Sequence, residues 1–88
     1  MINQILGDNN FQYKPTELWA KLPKGISWRE VASVAVGPDQ KVYVFNRGDH
    51  PMIVFDKEGN FLNSWGEDLF VRPHGLTLGL DNSLFCID

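Results

Sequence analysis

Residues 33–46 and 75–88 superimpose without a gap at an offset of 42 positions, counted from Ser33 to Gly75. Gly37 meets Gly79 and Asp39 meets Asp81. Val34, Val36, Val42, Tyr43, Val44 and Phe45 meet Leu76, Leu78, Leu84, Phe85, Cys86 and Ile87, so apolar character is kept wherever a sheet face needs it. A chain with such a period is built of supersecondary units, none of which can bury its apolar face alone.

Short strands separated by Gly/Asp turns at a period of about 40 residues are the pattern of β-propeller blades. A propeller needs at least four blades, so the smallest closed ring takes roughly 170 residues. The chain has 88, enough for one complete blade and part of the next. It therefore reads as a segment of a longer protein, or as a unit that assembles with copies of itself.

The strand pattern is legible along most of the chain. Phe11 to Trp19 alternates loosely, but Pro15 confines it to an edge or end position, and Pro15 to Leu22 carries a weak helical alternative. Val31–Val36 and Lys41–Asn46 flank the turn Gly37-Pro38-Asp39-Gln40. Met52–Phe55 and Phe61–Trp65 flank Asp56-Lys57-Glu58-Gly59-Asn60, where Gly59 is free to take a positive φ. Leu76–Leu78 and Leu84–Ile87 flank Leu80-Asp81-Asn82-Ser83. The expected organisation is a segment over 1–30 with an outer, closing strand, a complete blade over 31–66, and the start of a second blade over 67–88.

A net charge of −3, with no cluster of Lys or Arg, removes the electrostatic footprint of a nucleic-acid binder. No run approaches the ~18 apolar residues of a membrane span, and the first ten residues lack the form of a signal peptide, so the default location is the cytoplasm. The single cysteine, Cys86, lies in an apolar run and reads as a core residue.

Two residues stand above the scaffold. His74, in Pro73-His74-Gly75, takes the place of Ala32 in the first unit, so the repeat itself does not demand it. At the entrance of a first, channel-lining strand it would point toward a propeller axis, where histidines of several blades can share a metal; a turn histidine bonded to a backbone carbonyl is the simpler alternative. Arg47 follows a strand and precedes Gly48. Its fork can hold a ligand carboxylate, or it can pair with Glu30 or Asp49.

The stretches Glu30–Val36, Val42–Pro51 (with Asn46-Arg47-Gly48-Asp49-His50-Pro51), Ile53–Asp56, Gly59–Phe61, Ser64–Gly66 and Pro73–Leu76 resemble the NHL-repeat proteins similar to peptidyl-α-hydroxyglycine α-amidating lyase. Arg-Gly-Asp-His followed about two dozen residues later by Pro-His-Gly is the specific part of the match. The resemblance implies a six-bladed propeller with a zinc ion in its channel and an internal calcium. His74 would be the first zinc ligand, Arg47 the arginine at a small-molecule or peptide substrate, and the carbonyls of Val34 and Leu76 would face the calcium. It also implies cleavage of the C–N bond of a C-terminal α-hydroxyglycine to a peptide amide and glyoxylate. The remaining histidines lie outside these residues, so the chain alone is expected to be inactive and to hold no metal tightly. The competing reading is a non-catalytic propeller that binds a protein or ligand.

One further expectation concerns assembly. The strand Leu84–Ile87 lacks its outer partners and is a template for self-association. Three copies, each giving two blades, could close a six-bladed ring with three His74 residues on the axis.

Overall fold

The computed structural model describes residues 5–8, 10–16 and 18–88. The described chain is all-β. Eight strands follow in order: β1 (Leu6–Asp8), β2 (Phe11–Tyr13), β3 (Val31–Val36), β4 (Val42–Asn46), β5 (Met52–Phe55), β6 (Phe61–Trp65), β7 (Gly75–Leu78) and β8 (Leu84–Ile87). They form three antiparallel sheets, a hairpin β1-β2, a four-stranded meander β3-β4-β5-β6 and a hairpin β7-β8.

The sequence repeat is repeated in three dimensions. Ser33, Val34, Ala35 and Val36 pair with Phe45, Val44, Tyr43 and Val42. Gly75, Leu76, Thr77 and Leu78 pair with Ile87, Cys86, Phe85 and Leu84, the same register 42 positions on. The turns match bond for bond: Gly37 N–H donates to Lys41 O and Gln40 N–H to Gly37 O, as Gly79 N–H does to Ser83 O and Asn82 N–H to Gly79 O. Asp39 Oδ1 accepts from Lys41 N–H and Asp81 Oδ1 from Ser83 N–H. Gln40 and Asn82 both sit in the left-handed region, at φ 65° and 69°. Both glycines are there for space: a Cβ on Gly37 would crowd Tyr43 and one on Gly79 would crowd Phe85, the aromatic at the same place in each unit.

The centre of the four-stranded sheet is covered on both faces, which is why β5 is apolar at every position and wholly buried. On one face Val44, Ile53 and Phe55 pack beneath Trp19, Ala20, Leu22 and Ile26. Trp19 and Trp28 meet the Phe55 ring at centroid distances of 5.6 and 5.9 Å, in the tilted and edge-on geometries that aromatic quadrupoles favour. On the other face Phe45, Met52 and Val54 pack against Leu76, Leu84 and Cys86 of the second hairpin, with Phe70 edge-on to Phe45 at 4.7 Å. Burial pushes the Cys86 thiol pKa up. Each unit therefore rests its apolar face on its neighbour, as a repeat architecture requires.

The N-terminal part departs from expectation. The strand expected over Phe11 to Trp19 is limited to Phe11–Tyr13, and it pairs with Leu6–Asp8 rather than with the main sheet. Pro15 has no N–H for a ladder, so pairing stops before it. No helix forms over the described part of 15–22. Among the described residues the segment's one backbone bridge to the sheet is at Lys21, whose N–H donates to Gly59 O in an isolated parallel bridge beside Asn60. Gly59 takes φ 86°, and a Cβ there would collide with the Trp19 carbonyl, so this turn requires glycine twice over. No helix among the described residues is long and apolar enough to cross a membrane.

Candidate functional site

β4 ends on Asn46, a fully buried polar side chain in an otherwise apolar core. Its Oδ1 accepts from Arg29 N–H at 3.1 Å and Gly48 N–H at 2.8 Å, and its Nδ2 donates to His50 O at 2.8 Å and Pro51 O at 3.1 Å. All of its hydrogen-bonding capacity goes into clamping the loop that enters β3 to the loop that leaves β4. Gly48 lies so close that a Cβ would stand 2.8 Å from Asn46 Oδ1. The second unit uses Asp88 at the equivalent position: its Oδ2 accepts from Val71 N–H, the counterpart of Arg29, and its Oδ1 from Arg72 N–H. Neither Asn46 nor Asp88 stood out in the sequence, although a polar residue closing an apolar strand at the same place in both copies was the available signal.

The clamp presents Arg47. Its N–H donates to Arg29 O at 2.8 Å, fixing the backbone. Its Nη1 pairs with Glu30 Oε2 at 3.0 Å, one of the two partners expected for it, and its Nε donates to Pro73 O at 3.0 Å. The guanidinium thus ties the first unit to the peptide immediately before His74. Nη2 has no partner among the described residues, and Arg47 lines a cleft of about 300 Å³ with Ser27, Trp28, Arg29, Gly48 and Asp49. A second cleft of about 510 Å³ adjoins it through Gly48 and Asp49, where His50 Nδ1 meets Glu67 Oε1 at 3.0 Å. The backbone N–H of Glu67, with this histidine, holds the Glu67 carboxyl below its ordinary pKa.

His74 is exposed, and its backbone N–H donates to Ile87 O at 2.9 Å. Arg47 and His74 therefore belong to one corner of the molecule. Val34 and Leu76 come together differently. The strands β3 and β7 run next to each other, and Ser33 Oγ accepts from Leu76 N–H at 3.1 Å across the boundary. Main-chain groups alternate between the two edges of an antiparallel strand. The hairpin bond at Gly37 fixes the alternation in β3 and that at Gly79 fixes it in β7. Val34 and Leu76 consequently direct their main-chain groups away from β4 and β8, each to the opposite edge of its own strand. Among the described residues no three His, Cys, Asp or Glu side chains gather as a metal site would require. His74 is a single nitrogen donor, and a catalytic zinc site takes three protein ligands.

Comparison with known proteins finds no family model that matches the chain, no similar curated protein and no similar solved structure.

Proposed function

We propose that the chain is a two-unit segment of an NHL-type β-propeller similar to peptidyl-α-hydroxyglycine α-amidating lyase, and that the complete protein releases glyoxylate and a peptide amide from a C-terminal α-hydroxyglycine. The observation that carries this reading is the bond from Arg47 Nε to Pro73 O. It brings together the Arg-Gly-Asp-His and Pro-His-Gly motifs, which lie apart in the chain and together make up the specific part of the resemblance. In this reading β3 and β7 line the channel, Arg47 faces the substrate carboxylate, and His74 gives one zinc ligand while other units give the rest. The turning of the Val34 and Leu76 main-chain groups away from β4 and β8 supports them as carbonyl ligands of a calcium ion.

The test uses the full-length gene product loaded with zinc. Glyoxylate release from a peptidyl α-hydroxyglycine, abolished together with stoichiometric zinc in His74→Ala, is the expected result. A folded, zinc-loaded protein that releases none refutes the proposal. The 88-residue chain by itself is expected to bind zinc weakly enough for a mild chelator to strip it, and tight stoichiometric zinc in a demonstrated monomer contradicts that.

One observation favours the non-catalytic reading. Glu30 and the Pro73 carbonyl already occupy two of the donors of Arg47, the arrangement of a structural tie. If Arg47 is only a tie, Arg47→Lys in the full-length protein weakens the joint between units and changes no KM, because no substrate rests on the fork.

A further inference from the structure

We propose that Glu30 is a positioning residue, which holds the Arg47 guanidinium in the orientation that receives a ligand carboxylate; the proposal rests on the functional reading above. The repeat shows that the scaffold does not ask for this residue. At the offset of 42 positions Glu30 meets Arg72, a side chain of opposite charge. Glu30 takes a left-handed backbone at φ 46°, which a residue with a Cβ adopts at a cost, and Arg72 does not share it. The register between β3 and β4 then shifts between Val31 and Ser33, directly after Glu30. Irregularities of this kind re-aim side chains where a ladder ends. Their product here is one contact, Glu30 Oε2 to Arg47 Nη1 at 3.0 Å.

Stability does not account for that contact. The Glu30 side chain is 64% exposed, and an ion pair so open to water contributes little to folding. Orientation does account for it. A guanidinium is planar, so two bonds from different nitrogens fix both where it lies and how it is turned. Arg47 makes these two, from Nη1 to Glu30 and from Nε to Pro73 O at 3.0 Å. Nη2 is left without a partner among the described residues, on a side chain that lines the cleft of about 300 Å³ with Ser27, Trp28 and Arg29. A guanidinium already held in place loses little freedom when a carboxylate arrives.

Glu30 also offsets the charge of Arg47, and this separates two roles. If only charge counted, removing Glu30 would strengthen the binding of an anion. If the guanidinium must be held, removing Glu30 weakens it, and any neutral side chain that still offers Nη1 an oxygen restores it.

The test uses the full-length gene product loaded with zinc, its Glu30→Ala and Glu30→Gln variants, and glyoxylate as the carboxylate probe, titrated against the Arg47 Nε–H resonance. Affinity for glyoxylate should fall about tenfold in Glu30→Ala. Glu30→Gln keeps an oxygen for Nη1 and removes the charge, so it should bind at least as tightly as the parent. KM for a peptidyl α-hydroxyglycine should follow the same order. A peptidyl N-hydroxymethyl amide, which has no carboxylate and would give peptide amide and formaldehyde, should be cleaved alike by all three, whereas a general loosening of the fold would impair both substrates. Glu58→Ala, exposed on the β5-β6 turn, should change nothing. Glyoxylate affinity undiminished in Glu30→Ala, an equal loss in Glu30→Gln, an equal loss on both substrates, or a parent whose Arg47 resonance ignores glyoxylate would overturn the proposal. A parent that binds glyoxylate at Arg47 but releases none from peptide refutes the functional reading instead, and the order of glyoxylate affinities still decides for Glu30.

Discussion

Replacing Asn46 by aspartate exchanges an amide NH₂ for an oxygen at the point where the candidate site is clamped. The acceptor side survives, because Arg29 N–H and Gly48 N–H can still donate to a carboxylate. The donor side does not. A carboxylate oxygen would stand where Nδ2 now reaches His50 O at 2.8 Å and Pro51 O at 3.1 Å. Two lost hydrogen bonds cost about 1 kcal/mol each, and bringing an anionic oxygen against two carbonyl oxygens out of water costs about 1–2 kcal/mol more. The expected loss is therefore about 3–4 kcal/mol at neutral pH, a large share of the roughly 4–13 kcal/mol typical for a chain of this size. Burial among carbonyls raises the folded-state pKa of the new carboxyl above its unfolded value near 3.9. A raised folded pKa means that the protonated form is tolerated. The variant should thus come nearest to the parent below about pH 4 and lose stability as pH rises from there toward the folded pKa, then level off. Urea unfolding followed by fluorescence of Trp19 and Trp28, which lie against Phe55, reads this out as a midpoint lowered by at least about 2 M at pH 8 and by less at pH 5. A midpoint within experimental error of the parent at pH 8, or a deficit that does not shrink on acidification, refutes the reasoning.

Phe55→Ala removes the ring on which Trp19, Trp28 and Phe61 converge and should cost about 3–5 kcal/mol, seen as a lowered urea midpoint with a red-shifted tryptophan emission. Ser33→Ala deletes the acceptor that Leu76 N–H uses across the boundary between units; a loss of about 1 kcal/mol and faster amide exchange at Leu76 are expected, with exchange unchanged counting against the contact. In acid, Asp56 is held low chiefly by Asn60 N–H and Asp81 chiefly by the Ser83 hydroxyl, so both carboxyls titrate below the ordinary 3.8. Depressed folded-state values mean that their stabilisation is complete above the unfolded pKa and drains away as pH falls through the folded one. Melting temperature should drop below about pH 4, and Asp56→Asn should flatten that drop.

The two hairpins β3-β4 and β7-β8 were legible almost residue by residue, because their information is local. Period-two apolar alternation places Val34 and Leu76, and the Gly-x-Asp-x turns supply the conformations that the hairpins need. The expected bounds of Val31–Val36, Met52–Phe55, Phe61–Trp65 and Leu84–Ile87 are those observed. The N-terminal stretch was less legible, since a single proline and scattered aromatics do not say which neighbour an aromatic will find. Trp19 and Trp28 act by covering Phe55, a contact between residues far apart in the chain.

The candidate site divides along the same line. Sequence by itself determined the all-β class, the 42-residue repeat, the turns, His74 as a residue the repeat does not demand, and Arg47 as an arginine between a strand end and a glycine. Each of these follows from side-chain chemistry and spacing within a few strands. Only the tertiary structure decided that Arg47 pairs with Glu30 rather than Asp49, that its Nε reaches the carbonyl before His74, and that Asn46 organises both loops. The physical reason is that a hydrogen bond is settled by distances of a few tenths of an ångström between groups that the packing of two units brings together, and no periodicity within one strand encodes them.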